Sequence, residues 1–180
     1  HGVSRLRSGC YDAGMTVGVY GLGRFGAFWA RLLAERFDVL VYNRSSSRTV
    51  PEGVASVSLA ELCTVETLFL CVSISAVESV VEEIAPLLAP QTVVADTCSV
   101  KVHPLSAMER LLPAENQILG THPMFGPDSA KAGVTNLPII VTPVRCSEET
   151  RRFWLSEFAG YGLRVQQMNA DDHDHEAAYT

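Results

Sequence analysis

Hydrophobic positions along the chain follow two alternating patterns: short runs rich in β-branched residues, and longer stretches with helical spacing. The short runs are typical of strands buried on both faces, and the longer stretches are typical of helices that cover such strands. Their alternation predicts a doubly wound α/β fold with a parallel sheet. The predicted strands are Thr16–Tyr20, Val39–Tyr42, Thr67–Val72, Thr92–Ala95, Ile118–Leu119, Pro138–Thr142 and Arg164–Gln167. The predicted helices are Arg24–Arg36, one near Leu59–Cys63, Ala76–Leu88, one from Pro104 to Leu112, and one that Ser147 opens and Phe158 ends.

Polar side chains that can satisfy free backbone N–H groups mark several helix starts. Ser58 with Glu61, and Ser75 with Glu78, have the spacing of a capping box. Asn169 can cap a further helix, whose first turn carries acidic residues that the helix dipole favours. Since the sequence stops soon after this helix begins, we expect residues 169–180 to lead into a further domain that this chain lacks.

Composition and charge narrow the class of protein. The chain has 180 residues, 47% of them hydrophobic and 19% charged, which fits one globular domain. Its formal net charge of −6 disfavours binding to nucleic acid or to an anionic membrane. No apolar run reaches the roughly 18 to 20 residues that span a bilayer, and the N-terminal stretch lacks the apolar core of a signal peptide. We therefore expect a cytoplasmic protein whose partners are small molecules or other subunits.

The spacing of the cysteines and histidines disfavours disulfides and metal sites. The five cysteines are widely spread and include no C-x-x-C pair, which suits a reducing compartment. The histidines near the C-terminus are two residues apart, a spacing that does not place them on one helix face. No metal site is predicted.

A glycine-rich loop, GLGRFG over Gly21–Gly26, follows the first predicted strand and opens the first helix. In this context Gly21 permits a tight turn, Gly23 lets the backbone approach a pyrophosphate, and Gly26 lets the helix pack closely on the strand. The phosphates would meet free N–H groups at the helix start, beside Arg24 and Phe25. The loop predicts a Rossmann-type dinucleotide-binding domain over residues 15–168, preceded by residues 1–14 as a loose arm or a remnant of cloning.

The residues after the second predicted strand bear on the choice of cofactor. NAD enzymes usually have an acidic residue here to hold the ribose 2′-hydroxyl, whereas this chain has NRSSSR over residues 43–48. Asn43 can still bond a hydroxyl, while Arg44 and Ser45 can surround a 2′-phosphate. The sequence therefore favours NADP over NAD, with a solvated polar loop as the alternative.

Polar residues directly after the strands are the candidates for chemistry, because ligands of such sheets bind beyond the carboxyl ends of the strands. Ser73 and Thr97 follow two central strands and are expected to face the cofactor. His122 would lie at a strand end over the cleft, where an imidazole with a pKa near 6.5 can accept a proton at neutral pH. It is the best candidate for a general base, and His173 can border the same cleft.

The order of the motifs resembles that of prephenate and arogenate dehydrogenases. The glycine loop is followed by DTCSVK over residues 96–101, THPMFGP over residues 121–127 and Asp172-His173-Asp174, and HPMFG is the specific part. The resemblance implies that His122 takes the proton of the substrate's ring hydroxyl, that Ser99 helps to hold that hydroxyl and the nicotinamide, and that His173 lies on the substrate side. It implies oxidative decarboxylation of a cyclohexadienol, with hydride transfer to NAD(P).

The sequence departs from this family because the family's enzymes continue into an all-helical domain, which supplies further substrate contacts and forms the homodimer. The resemblance thus supports cofactor binding more strongly than turnover by this chain alone. Two alternatives remain open. One is a stand-alone nucleotide-binding module without catalysis, and the other is a β-hydroxyacid-type reductase, which would use a lysine further along the chain and would not need His122.

Overall fold

The computed structural model describes residues 14–178, and within that range there are eight strands and six α-helices, which include all seven predicted strands. The strands are β1 (Thr16–Tyr20), β2 (Asp38–Tyr42), β3 (Ala55–Ser56), β4 (Thr67–Leu70), β5 (Val93–Asp96), β6 (Ile118–Pro123), β7 (Pro138–Arg145) and β8 (Arg164–Gln167). The helices are α1 (Arg24–Leu33), α2 (Leu59–Leu62), α3 (Val77–Ile84), α4 (Val102–Leu111), α5 (Glu148–Gly160) and α6 (Ala170–Ala177).

The strands form a single sheet in the order β3-β2-β1-β4-β5-β6-β7-β8. The chain leaves β1 towards β2 on one side and returns to β4 on the other, which makes the doubly wound arrangement. The predicted Rossmann-type fold is confirmed, with one exception to its parallel pairing. β7 runs antiparallel to β6, because residues 124–137 reverse the chain directly and contain no crossover helix.

Two strands differ from the prediction, and the difference at β6 matters for function. β6 runs from Ile118 to Pro123, beyond the predicted end at Leu119, so His122 lies within a strand and pairs with Ile140 of β7. The short edge strand β3 was not predicted, because two exposed residues carry no hydrophobic pattern. Both β3 and the end of β6 form through backbone pairing with a neighbouring strand. The hydrophobic periodicity of the sequence does not reveal such pairing.

One of the two predicted capping boxes is correct. Ser58 and Glu61 cap α2 reciprocally. The second prediction is wrong: a 3-10 turn over residues 74–76 precedes α3, and the Ser75 hydroxyl shares a hydrogen bond with the Ser73 hydroxyl. Glu78 instead forms an ion pair with Arg110 of α4. The caps predicted at α5 and α6 are both present, since Ser147 accepts from the N–H of Thr150 and Asn169 accepts from the N–H of Asp172.

Hydrophobic side chains cover both faces of the sheet. On one face α1 and α5 bring together large aromatic residues, with Trp29 and Trp154 each packed edge-on against Phe69 of β4, at ring-centroid distances of 5.7 and 5.0 Å. On the other face α2, α3 and α4 bury aliphatic residues such as Leu62, Val80 and Met108. Because both faces are covered, the carboxyl edge of the sheet is left to form a site.

Three of the predictions about the whole chain remain untested by the fold. The predicted N-terminal arm, residues 1–14, lies outside the described residues except for Gly14. Among residues 14–178, no helix is long and apolar enough to cross a membrane. The cytoplasmic location and the boundary between residues 168 and 169 stay predictions.

A fully buried ion pair joins the end of β5 to the start of α4. Asp96 and Lys101 both have no exposed side-chain surface, and the Lys101 ammonium donates to the Asp96 carboxylate. The same ammonium donates to the carbonyl of Thr121 in β6 at 2.7 Å, and the Asp96 carboxylate accepts from the N–H groups of Cys98 and Thr121. The ammonium thus donates two of the hydrogen bonds and the carboxylate accepts three, which offsets the cost of burying two charges.

We expect Lys101→Met to destabilise the fold strongly. The substitution fills a similar volume but leaves the Asp96 carboxylate buried without its counter-ion, and such a loss costs about 3–5 kcal/mol. Lys131→Met is the matched control, because the ammonium of Lys131 lies 3.4 Å from Asp128 on the exposed surface. Urea unfolding of the two variants measures the difference, and equal midpoints would contradict this account of the ion pair.

Candidate functional site

The glycine loop lies at the point where the strand order reverses, between the carboxyl ends of β1 and β4. Gly21 has a φ of +101°, and a Cβ there would lie 2.5 Å from the carbonyl oxygen of Cys71. A Cβ on Gly26 would lie 1.9 Å from the carbonyl oxygen of Gly21, so α1 packs this closely only because residue 26 is glycine. These two glycines have the structural roles that the sequence predicts.

The space in front of Gly23 is open. A Cβ built on this residue would meet no other atom within 4 Å, although its neighbours in the loop are tightly packed. Gly23 also caps α1 without a side chain, so the first N–H groups of the helix face this space with no intrahelical acceptor. The opening therefore fits a phosphate group, which the N-terminus of a helix attracts.

A cavity of about 490 Å³ extends from the loop across the ends of β4 and β5. It brings together seven of the residues that the sequence predicts for the site. The Thr97 hydroxyl is turned to the carbonyl of Leu70, with which it makes a 3.0 Å hydrogen bond, whereas Ser99 is exposed. The seven residues are Gly23, Arg24, Phe25, Gly26, Ser73, Thr97 and Ser99.

The side chain of Arg24 crosses from the glycine loop to the loop that follows β6. Its guanidinium lies 2.7 Å from the carboxylate of Asp128, and both side chains are exposed. The ion pair links the HPMFGP segment to the start of α1. Its exposure to solvent means that it contributes little to folding stability.

The residues after β2 are held by hydrogen bonds that the sequence does not reveal. Asn43 accepts from the N–H of Leu22 at 2.9 Å and donates to the carbonyl of Ser45 at 2.9 Å, which ties the second strand to the glycine loop. Arg44 lies 2.8 Å from the carboxylate of Glu83 on α3, which also accepts from the hydroxyl of Tyr20. Glu83 was missed because it is 39 residues away in the chain, and only the fold brings it to Arg44.

His122 and His173 meet at the end of β6. Nδ1 of His122 lies 2.9 Å from Nε2 of His173, and the two rings are close to perpendicular. His173 is 3% exposed on α6, whereas His122 is half-buried. The structure thus brings together the two histidines that the sequence assigns to the reaction cleft.

Asp174 completes a chain of polar groups behind these histidines. Its carboxylate lies 2.8 Å from Nδ1 of His173 and accepts the N–H groups of Lys101 and Val102 at 2.6 and 2.9 Å. Although burial alone would raise the pKa of Asp174, the hydrogen bonds from His173, Val102 and Lys101 lower it. The sequence includes Asp174 in the Asp172-His173-Asp174 motif but gives it no role of its own, although its position beside His173 was the available signal.

The surroundings of His122 keep its imidazole neutral. Burial lowers the pKa of His122 to about 4, and the nearby His173 and Lys101 act in the same direction, while Asp174 opposes them. At neutral pH the ring therefore has a free lone pair and can accept a proton. This pKa is well below the value near 6.5 that we expect from the sequence.

The thiols near the site are inert in this fold. Burial raises the pKa of Cys71 and of Cys98, which both line the cavity, to about 12, so both stay protonated at neutral pH. Among residues 14–178 there is no group of three or more His, Cys, Asp or Glu side chains that could hold a metal ion.

Together, the strand order and the glycine loop define a nucleotide-binding domain of the Rossmann type. Residues 45–159, more than half of the chain, match the family described as prephenate dehydrogenase, nucleotide-binding domain. The chain therefore belongs to this family. The matched segment includes the HPMFG motif, whereas the glycine loop and His173 lie outside it on either side.

Individual relatives agree with this assignment. Arogenate dehydrogenase 1, chloroplastic, from Arabidopsis thaliana is 35% identical over 176 residues, which cover 91% of this chain and 28% of that protein. The crystal structure of Synechocystis arogenate dehydrogenase matches with a TM-score of 0.76 and 25% identity, over 92% of this chain and 63% of that one. A prephenate dehydrogenase from A. aeolicus, in complex with hydroxyphenyl propionate and NAD+, matches in fold with a TM-score of 0.72 and 18% identity, over 91% of this chain and 63% of that one. This chain thus spans less than two thirds of the length of each.

The lowered pKa of His122 predicts a pH-dependent stability. Because the folded state disfavours the imidazolium, the unfolded state binds more protons between pH 6.5 and about 4, and the stabilisation by neutral His122 is lost as the pH falls through that window. We expect the free energy of unfolding of the chain to fall more steeply from pH 6.5 to 4.5 than that of His122→Asn. Urea unfolding at several pH values measures both slopes, and parallel curves would show that His122 is not buried as a neutral ring.

Proposed function

We propose that the protein containing this chain catalyses the NAD(P)-linked oxidative decarboxylation of prephenate or arogenate in tyrosine biosynthesis, with His122 as the general base. The observation that carries the proposal is a neutral, half-buried histidine at the same sheet edge as an open glycine loop. Membership of the prephenate dehydrogenase family and the names of the relatives give the substrate class. The helical domain and the homodimer expected from the family belong to the proposal for the whole protein.

His122 would accept the proton of the substrate's ring hydroxyl. As that proton leaves, the ring carbon that carries the hydroxyl gives up a hydride and becomes a ring ketone. The ring carboxylate then departs as carbon dioxide, and the electrons of the broken bond complete the aromatic ring and leave a phenolate oxygen, which takes the proton back from His122 to give the phenol. A bound nicotinamide supplies the hydride acceptor. The chain's own contribution is to orient the hydroxyl against His122 and to keep that ring unprotonated.

The cavity beside the glycine loop fits the cofactor. The phosphates of the cofactor would bind the first N–H groups of α1 in front of Gly23, where the structure leaves open space. Ser73, Thr97 and Ser99 line the same cavity further along the sheet edge, in the direction of β6. Ser99 would therefore contact both the nicotinamide and the substrate hydroxyl, and His173 would lie on the substrate side.

NADP is proposed as the preferred cofactor. No carboxylate directly follows β2, and Arg44 with Ser45 stands where a 2′-phosphate would bind. Arg44 is paired with Glu83, and the side chains are 54% and 32% exposed, so the guanidinium can exchange that carboxylate for a phosphate at small cost. Glu83 thus competes with the 2′-phosphate for Arg44.

Removal of the competing charge should strengthen NADP binding. In Glu83→Gln the guanidinium of Arg44 is released and a negative charge near the phosphate disappears, so we expect the Kd for NADP to fall by up to about fivefold, with little change for NAD. The matched control is Glu82→Gln, a neighbouring glutamate on the exposed side of α3. Isothermal titration of both variants with both dinucleotides measures the effect, and equal responses to NAD and NADP would contradict the proposed role of Arg44.

The reaction itself is tested in the complete protein with prephenate and arogenate against NAD and NADP. We expect reduced cofactor from at least one pair, and a loss of roughly 10²- to 10⁴-fold in kcat for His122→Asn, the range typical of a general base. His103→Asn is the control, because His103 is an exposed histidine on α4. Undiminished turnover by His122→Asn would remove the assignment of the base, and no turnover with any pair would remove the proposed function.

A further inference from the structure

The chemistry of Asp174, His173 and His122 determines which atom donates in each hydrogen bond between them. The Asp174 carboxylate has only acceptor atoms, and it already accepts two backbone N–H groups at the start of α4. Nδ1 of His173, at 2.8 Å from it, must therefore be the donor and carry a hydrogen. In a neutral His173 the other nitrogen, Nε2, is then an acceptor.

The hydrogen position in His173 also determines which nitrogen carries the hydrogen in His122. Its Nδ1 lies 2.9 Å from Nε2 of His173, so a hydrogen on Nδ1 of His122 is the one that satisfies the contact. The remaining nitrogen of the neutral ring, Nε2, is left with the free lone pair. The basic atom of His122 is therefore the one turned away from His173.

We propose that Asp174 is a positioning residue that, through His173, fixes the tautomer of His122 with Nδ1 protonated and Nε2 as the proton acceptor. This inference deepens the proposed function and rests on it for its catalytic meaning, although the tautomer itself is a property of the chain. The arrangement orders the two rings with one anchored carboxylate, as a buried aspartate orients the histidine of a serine protease triad.

The anchor is rigid because Asp174 also closes the start of another helix. α4 has no side chain of its own as a cap, and the Asp174 carboxylate of α6 takes its place by accepting the N–H groups of Lys101 and Val102. A purely structural role as a helix cap accounts for these two bonds. It does not account for the third bond to His173 or for the contact between the two histidines, so the test must read the state of the rings.

The titratable groups around His122 come from three elements. His173 and Asp174 approach it from α6, and Lys101 lies buried before α4 beside Asp96 of β5. The only negative charge among these that is not paired with Lys101 is the Asp174 carboxylate. Its removal therefore takes away both the acceptor that orders the rings and the charge that opposes the effect of Lys101 on His122.

Nitrogen-15 NMR of the 180-residue chain at neutral pH gives the direct test, because it distinguishes protonated from unprotonated ring nitrogens. We expect Nδ1 to be protonated and Nε2 to be unprotonated in the rings of His122 and His173. A charged His173, or a His122 with its hydrogen on Nε2, would overturn the proposal. This readout needs neither substrate nor cofactor, so it stands apart from the proposed function.

Asp174→Ala tests the source of the order, with Asp171→Ala as the control, since Asp171 is an exposed acid in the same helix turn. We expect the His122 tautomer to become mixed or reversed in Asp174→Ala only, and kcat of the complete protein to fall roughly 10- to 100-fold with an unchanged KM for the cofactor. An unchanged tautomer in a folded Asp174→Ala chain would overturn the proposal. If this variant does not fold, the spectrum of the unsubstituted chain still decides it. Absence of turnover in the unsubstituted complete protein would count against the proposed function alone.

Discussion

The buried ion pair between Asp96 and Lys101 is the constraint on which the site depends. A carboxylate and an ammonium without any contact to water persist only if each is paired and fully hydrogen-bonded. Here the pairing fixes the end of β5, the end of β6 through Thr121, and the start of α4 in one arrangement. A shift of any one of these elements would leave a buried charge without its partner. Because that would be unfavourable, the ion pair keeps the site rigid.

The backbone of Lys101 carries this constraint into the catalytic edge. Its N–H group donates to Asp174, and the Asp174 carboxylate binds His173. His173 in turn contacts His122, so Lys101 links the buried pair to the proposed base. The charges work in opposite directions on that base. Lys101 lowers the pKa of His122 and Asp174 raises it, with burial as the larger effect. The ring is kept neutral by its surroundings, while its orientation comes from the hydrogen bonds.

The sequence predicts those parts of the molecule whose cause is local. The glycine loop, the capping box at Ser58 and the cap at Asn169 each depend on residues within one turn, and each is present. The box at Ser75 was wrong because Glu78 had a stronger partner, Arg110, on a different helix. The antiparallel β7, the Arg44–Glu83 pair and the role of Asp174 were not foreseen, since each depends on contacts between residues distant in the chain.

The reversal of the chain after β6 also determines the position of His122, the proposed base, at the ends of the strands. Ser99 and Ser73 follow their strands on loop segments, whereas His122 lies within β6 and pairs with Ile140 of β7, although the pairing of β6 with β5 ends at Gly120. Because β7 pairs with β6 as far as Pro123, the histidine lies within a strand and not on a loop. Because proton transfer requires heavy atoms within about 2.6–3.2 Å, a base set in a sheet and ordered from behind by His173 loses less to misplacement than one on a loop. The exception to the parallel sheet is therefore the feature that makes its carboxyl edge suited to acid–base chemistry.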